Sequence, residues 1–112
     1  QAVDAFMAEL VASGHADEVL VVMTSEFGRR VRDNESDGLD HGAGSNLILL
    51  GPVNPGFYGD PPDLTTLDND DNLIATLHMN DYYATIAERW FDVPKADVIS
   101  GGSLIPGILN LA

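Results

Sequence analysis

The 112-residue chain contains no cysteine, which excludes disulfide frameworks, thiolate metal sites and cysteine nucleophiles. Basic residues are scarce: 5 Lys and Arg stand against 18 Asp and Glu, so the formal net charge is −13. A surface this negative repels phosphate backbones and anionic lipid headgroups, so we expect neither nucleic acid nor a membrane as a partner. Long hydrophobic runs are also absent, because none approaches the roughly 18 residues that a membrane-spanning helix needs.

The composition is otherwise that of a folded protein. Apolar residues make up 45 % of the chain and charged residues 21 %, which is typical of globular domains and not of disordered chains. The length supports one domain. A net charge of −13 strains a small fold by self-repulsion, and salt, bound cations or a larger parent protein would relieve that strain.

The first part of the chain predicts a helix followed by a strand. Between residues 3 and 11 apolar side chains recur with helical spacing, which predicts an amphipathic helix that ends at Gly14. Residues 19–23 form an unbroken apolar run rich in β-branched side chains. Such a run is typical of a strand buried on both faces of a parallel sheet. We therefore expect an α/β fold.

The middle of the chain adds too few elements to complete such a fold. We predict a polar loop over residues 25–45, a second strand over 47–50 and a long loop rich in proline and glycine over 51–72. A strand buried on both faces needs neighbours on both edges, and two-stranded sheets are only marginally stable in water. Either further strands lie within the predicted loops, or the missing strands come from an absent N-terminal part or from other chains. We expect the second, so that the domain is incomplete in isolation.

A second helix is predicted over residues 81–91, with Asn80 or Asp81 as its N-cap. The aromatic residues of this segment have helical spacing, and we interpret them as core residues rather than as a stacking platform. The predicted apolar face comprises Tyr83, Ile86, Ala87 and Trp90.

Two polar side chains follow the first predicted strand and form the first candidate site. Glu26 and Arg29 are expected at the carboxyl end of that strand, where ligands gather in open α/β sheets. Glu26 could ligate a cation, and Arg29 could hold an anionic group through paired N–H donors. The alternative is that the two residues form a structural ion pair.

The second candidate site is the pair Asp40 and His41, which lies among glycines. Both side chains are common ligands of zinc or manganese, and glycines let a backbone approach a ligand closely. The alternative is an ordinary exposed histidine in a loop.

A third segment, the acidic run of residues 68–72, begins like a calcium-binding loop. It lacks the required glycine at the sixth position and the glutamate at the twelfth, which are Leu73 and Met79 instead. We predict that this run is a solvated acidic turn.

The two candidate sites together are more specific than either alone. The sequence S-E-F-G-R is followed about a dozen residues later by D-H-G, then by N-L-I-L-L-G and G-F-Y-G-D. This order resembles the bacterial domain-of-unknown-function family numbered fifteen-oh-one, a sulfatase-like branch of the alkaline-phosphatase superfamily. The stretch H-M-N-D-Y-Y-A-T-I-A-E-R-W-F is similar to the final helix of that family, so the resemblance runs from about residue 3 to residue 110.

The resemblance implies that residues 1–112 are a single C-terminal fragment of a larger alkaline-phosphatase-like domain, with part of its sheet and flanking helices. It implies hydrolysis of an anionic phosphate or sulfate ester, with two divalent metals (zinc, manganese or calcium) and a nucleophile that lies upstream. His41 matches a histidine ligand of the superfamily, and Glu26 with Phe27 stands where an Asp-His pair is usual, although Phe27 cannot ligate. Family members are exported, so an extracytoplasmic location is also implied.

Two hypotheses follow for the function. In the first, the chain belongs to a metal-dependent hydrolase and is inactive by itself. Glu26, Asp40 and His41 then serve as metal ligands or orient them, and Arg29 stabilises charge on the ester oxygens. In the second, the chain is a non-catalytic acidic module for interaction or structure in a larger assembly.

Overall fold

The computed structural model describes residues 1–111 and combines two α-helices with two small antiparallel sheets. This combination confirms the predicted α/β class at a coarse level. No helix among these residues has the length and apolar character needed to cross a bilayer. The elements, in chain order, are α1 (Ala2–Ser13), β1 (Val21–Met23), β2 (Gly28–Asp33), β3 (Leu39–Gly42), β4 (Ile48–Leu50), α2 (Met79–Arg89) and a single 3-10 turn (Lys95–Asp97).

Helix α1 is confirmed where the apolar spacing predicts it. It ends at Gly14, whose left-handed backbone (φ 80°) lets its N–H bond the carbonyl of Val11 at 3.2 Å. None of the residues of α1 is buried, and Phe6 is 49 % exposed. The spacing therefore predicts the helix correctly, but the apolar stripe has no partner among residues 1–111.

The two predicted strands are confirmed, but the predicted burial of the first strand on both faces of a parallel sheet is wrong. Strands β1 and β4 pair antiparallel with each other, with Val22 opposite Leu49. Val22 is 36 % exposed and Met23 42 %, so β1 is not buried on both faces. The physical reason is that no third strand pairs with this ribbon in the part of the chain that the structure describes.

The predicted polar loop of residues 25–45 contains a β-hairpin instead. Strands β2 and β3 pair antiparallel, with Gly28 opposite Gly42 and Arg29 opposite His41. The connecting turn is held by Asn34, whose Oδ1 accepts the N–H of Gly38 at 3.0 Å. The hairpin is stabilised by this local turn rather than by alternating apolar side chains, which is why periodicity does not predict it.

Helix α2 is confirmed, but its start and its buried face differ from the prediction. The N-cap is His78 rather than Asn80 or Asp81, and Asp81 at the third helical position accepts the N–H of His78 at 2.9 Å. Tyr83 is 40 % exposed, so it does not belong to the core face as predicted. The buried residues of the helix are Tyr82, Ala84, Thr85 and Ala87.

The core lies where the C-terminal tail crosses α2. Thr85 is 2 % exposed; its Oγ1 donates to the carbonyl of Asp81 at 2.6 Å and accepts the N–H of Ile105 at 2.8 Å. Ile108, from the tail, is 8 % exposed. The total accessible surface is 8134 Å², whereas a compact domain of this mass exposes about 6,000 Å². The chain thus exposes more surface than a compact domain of its mass, and many large apolar side chains are among the exposed residues.

Candidate functional site

Three glycines bring the two sequence motifs into backbone contact. A Cβ atom on Gly28 would lie 1.5 Å from the carbonyl oxygen of Gly44, and one on Gly42 would lie 2.7 Å from the carbonyl carbon of Arg29. On the far side, a Cβ on Gly44 would meet the Cβ of Leu73 at 2.7 Å. Real Cβ atoms do not approach other atoms this closely, so only glycine fits here. We call these three glycines the glycine crossing.

The glycine crossing places two candidate side chains, Arg29 and His41, together with the ring of Phe27. Arg29 and His41 are direct cross-strand partners, and such partners share one face of a hairpin. The ring of Phe27 stacks on the ring of His41 with centroids 3.6 Å apart and planes 17° apart. The guanidinium carbon of Arg29 lies 5.2 Å from the centroid of the same phenyl ring, within cation–π range. We call this group the Arg29–Phe27–His41 stack.

The stack is open to solvent and partly fixed. Phe27 is 37 % exposed, and both Arg29 and His41 are exposed. Nη1 of Arg29 donates to the carbonyl of Leu39 at 2.9 Å, which uses one of its five N–H donors and leaves the others available. The stack therefore presents a cationic group and an imidazole side by side on the surface.

Asp40 does not join His41, although the two are adjacent in sequence. Successive side chains of a strand point to opposite faces, and Asp40 Oδ1 accepts the side-chain N–H of Asn34 at 3.0 Å. Glu26 is exposed, and among residues 1–111 it forms no ion pair within 4.0 Å. The predicted alternative of a Glu26–Arg29 ion pair is therefore not observed.

The donors in this chain do not amount to a complete metal centre. Among residues 1–111, no three His, Asp or Glu side chains cluster closely enough to hold an ion. Catalytic zinc takes at least three protein ligands, and calcium takes six to eight oxygens. The predicted ligands Glu26, Asp40 and His41 do not fit such a centre on their own and stay predictions for a site with further donors.

Hydroxyl groups, which the sequence does not single out, fasten the strand end that carries the stack. Ser25 Oγ donates to the carbonyl of Phe27 at 2.8 Å and lies 3.3 Å from Ser45 Oγ. The hydroxyl of Tyr82 reaches Thr24 Oγ1 at 3.5 Å. The segment before β2 is thus tied both to the end of the hairpin and to α2. Scattered serine and threonine residues give no sequence signal for such contacts.

The acidic run of residues 68–72 forms the predicted turn, and a hydrogen bond joins it to the end of the hairpin. Asp68 Oδ1 accepts the N–H of Asn72 at 2.8 Å, and Asn72 Oδ1 accepts the N–H of Ala43 at 3.0 Å. The backbone N–H of Asn72, followed by its side-chain N–H, lowers the pKa of Asp68 below its ordinary value. The carboxylate is therefore engaged in holding its own turn beside the glycine crossing.

A family model described as "Protein of unknown function (DUF1501)" matches residues 1–91, which is more than three quarters of the chain. The chain belongs to the DUF1501 family. The residues that match the family model include the glycine crossing and the stack, whereas most of the tail that covers α2 lies beyond the match. Searches of curated proteins and of solved structures returned no match to the chain.

Proposed function

We propose that this DUF1501 chain is part of a larger alkaline-phosphatase-like protein that hydrolyses phosphate or sulfate esters, and that it is inactive alone. The observation that supports the proposal is the cross-strand pairing of Arg29 with His41 on one exposed face. Two of the four predicted site residues thereby lie side by side at the end of a hairpin. The extracytoplasmic location implied by the resemblance stays a prediction.

The chemistry that this face can perform is recognition of an anion. The free N–H donors of Arg29 can bind two oxygens of a phosphoryl or sulfuryl group in parallel, with a geometry that a lysine cannot reproduce. The imidazole of His41 can donate to a third oxygen or ligate a metal. Contact with Phe27 limits the orientations of both groups, which lowers the entropy cost of binding.

The surface outside the core supports a larger parent protein. Helix α1 has an apolar stripe with no buried residue, and the ribbon of β1 and β4 has exposed apolar side chains on short strands. Two-stranded ribbons are marginal in water unless another layer covers them. Further polypeptide of an α/β sheet would cover these surfaces and supply the metal ligands that residues 1–111 lack.

The alternative, a non-catalytic module, is favoured by a specific observation. The glycine crossing explains the glycines of both motifs by packing alone, because any side chain there would collide with backbone or with Leu73. Phe27 also lies against one face of the His41 ring. In that case the stack is a structural feature, and its replacement should change stability without changing any turnover.

The deciding experiment compares variants of the longest natural polypeptide that contains this sequence. Phosphatase turnover, sulfatase turnover and bound metal are measured for the wild type, Arg29→Gln and His41→Ala. We expect Arg29→Gln to lower kcat/KM by about 100-fold, which is typical when a donor to a developing oxyanion is removed, and His41→Ala to lower the metal content. Arg32→Gln is the matched control, since Arg32 lies on the same strand with its side chain 75 % exposed.

Two outcomes would contradict the hydrolase proposal. One is a wild-type polypeptide that is folded and turns over neither class of ester. The other is turnover that Arg29→Gln and Arg32→Gln leave equally unchanged. Unaltered metal stoichiometry in His41→Ala would remove His41 from any metal site.

A further inference from the structure

The loop between β4 and α2 holds an aromatic side chain entirely in solvent. Phe57 is fully exposed, at 105 % of its reference area. A single exposed apolar side chain is ordinary on a protein surface. What distinguishes Phe57 is that hydrogen bonds hold the residues on both sides of it.

Hydrogen bonds to the C-terminal tail fix the loop on which Phe57 lies. The side-chain amide of Asn54 donates to the carbonyl of Gly107 at 2.6 Å, and its backbone N–H donates to the carbonyl of Ile108 at 3.0 Å. The hydroxyl of Tyr58 donates to the carbonyl of Asn54 at 3.0 Å. These bonds hold the backbone on both sides of Phe57, so less backbone entropy is lost when the ring binds.

A cleft with complementary properties lies next to this loop. Its volume is about 350 Å³, and Arg89 is the charged residue at its edge. Among residues 1–111, Arg89 forms no ion pair within 4.0 Å. We call this feature the Arg89 cleft; its apolar lining comes from Leu104, Ile105, Pro106, Leu109 and Leu111.

Charge also matches between the loop and the cleft. Asp60 and Asp63 follow Phe57 closely, and the chain contains no lysine or arginine from residue 33 to residue 88. A partner surface that receives Phe57 must therefore tolerate or attract negative charge. The Arg89 cleft does so, since apolar side chains line it together with a guanidinium that forms no ion pair within 4.0 Å among residues 1–111.

We propose that two copies of this chain associate symmetrically, with Phe57 of each copy inserted into the Arg89 cleft of the other. Gly107 connects the two features, because it lines the cleft and accepts the hydrogen bond from Asn54. An anchor and a receiving cleft that lie side by side form a self-complementary patch, which closes into a two-fold dimer rather than an open filament. This inference does not depend on the proposed hydrolase function.

The proposal has a characteristic dependence on salt. Each copy carries a formal charge of −13, so the two copies repel each other over distances that salt screens. Insertion of two aromatic rings is not weakened by salt. The dimer should therefore become tighter as ionic strength rises from about 0.05 M to about 0.5 M.

The test is sedimentation equilibrium of the 112-residue chain and three variants. Phe57→Ser removes both anchors of a symmetric dimer and should weaken association by about 100-fold or more. Phe57→Leu keeps an apolar anchor and should weaken it less. Phe6→Ser is the matched control: it removes an exposed phenylalanine of α1, and it should leave the dimer intact. Circular dichroism confirms that each variant keeps its secondary structure.

Each result decides the proposal. A salt-strengthened dimer that Phe57→Ser dissociates and Phe6→Ser does not would support it. A chain that stays monomeric at high salt would overturn it, and the loop and the cleft would then be covered by other polypeptide. Equal loss of association in Phe57→Ser and Phe6→Ser would also overturn it, because self-association would then be non-specific.

Discussion

Of the two helices of this chain, the more apolar one is the less buried one. Helix α1 has the more apolar sequence, yet none of its residues is buried. Helix α2 has a more polar sequence, yet four of its residues are buried. The difference arises because the C-terminal tail crosses α2, whereas no element among residues 1–111 crosses α1. Burial therefore depends on the partner of an element as much as on its own pattern.

Hydrogen bonds show how the tail remains on α2 without regular structure of its own. Backbone N–H groups that leave water must find acceptors, and side chains of the first two turns of α2 provide them. Asp81 Oδ1 accepts the N–H of Ser103 at 2.8 Å, and Thr85 Oγ1 accepts that of Ile105 at 2.8 Å. No comparable acceptors are offered by the exposed apolar stripe of α1.

The largest predicted effect concerns a third region of the molecule, the glycine crossing. It tests whether tight packing extends beyond α2 and the tail. We expect Gly28→Ala to destabilise the chain by about 4 kcal/mol or more, because its Cβ would lie 1.5 Å from the carbonyl oxygen of Gly44. The measurement is the free energy of unfolding from denaturant titration. Gly38→Ala in the same hairpin is the control, since a Cβ there has its nearest contact at 3.7 Å, an ordinary separation.

If Gly28→Ala and Gly38→Ala unfolded at the same denaturant concentration, the hairpin would not be packed against the 44–45 segment as described. Tight packing would then be confined to α2 and the tail. The contrast between the two helices would become a contrast between one small core and the remainder of the chain.

The sequence predicts where the helices and strands of this chain lie better than it predicts which of their faces are buried. Apolar spacing locates α1, β1, β4 and α2, because these patterns report a local preference that survives without a partner. The same patterns fail for burial: they predict Val22 and Tyr83 for a core, yet both side chains are exposed. Which face becomes buried is decided by elements distant in sequence, which a local pattern does not contain.

The candidate site shows the same limit. Because Arg29 of S-E-F-G-R lies on β2 and His41 of D-H-G lies on β3, the two side chains are cross-strand partners, a pairing that the sequence does not predict. Their environment was not predictable, since the hairpin is held by Asn34 and by the glycine crossing rather than by periodicity. The adjacency of Asp40 and His41 in sequence was misleading, because strand alternation separates their side chains.

A pair of truncations tests the contrast between the helices directly. Ile108→Ala should lower the free energy of unfolding by about 3 kcal/mol, because this side chain of the tail is only 8 % exposed and its removal leaves a cavity. Phe6→Ala should change stability by no more than about 0.5 kcal/mol, since its ring already contacts solvent. Both values come from the same denaturant titration. A large cost for Phe6→Ala would show that α1 has a partner in solution.

The smallest predicted effect concerns pH and the attachment of the tail. The N–H of Ser103, followed by that of His78, lowers the pKa of Asp81 below its ordinary value of 3.8. Folding therefore favours the ionised form, and this contribution is present above pH 3.8 and is lost as the pH falls through the lowered pKa. We expect Asp81→Asn to have a lower Tm than the wild type at neutral pH.

That difference in Tm should narrow as the pH is lowered below 3.8, because the wild-type carboxylate becomes protonated and loses the same interactions. The measurement is thermal unfolding of both proteins from neutral to acidic pH. Asp17→Asn is the control, since Asp17 is exposed in the loop after α1 and its replacement should leave Tm unchanged at neutral pH. A difference between wild type and Asp81→Asn that stays constant down to the acid limit would mean that the charge of Asp81 is not what holds the tail. The attachment of the tail to α2 would then depend on the hydrogen bond of Thr85 and on the burial of Ile108. The charge of Asp81 would not be needed to explain why residues of α2 are buried and those of α1 are not.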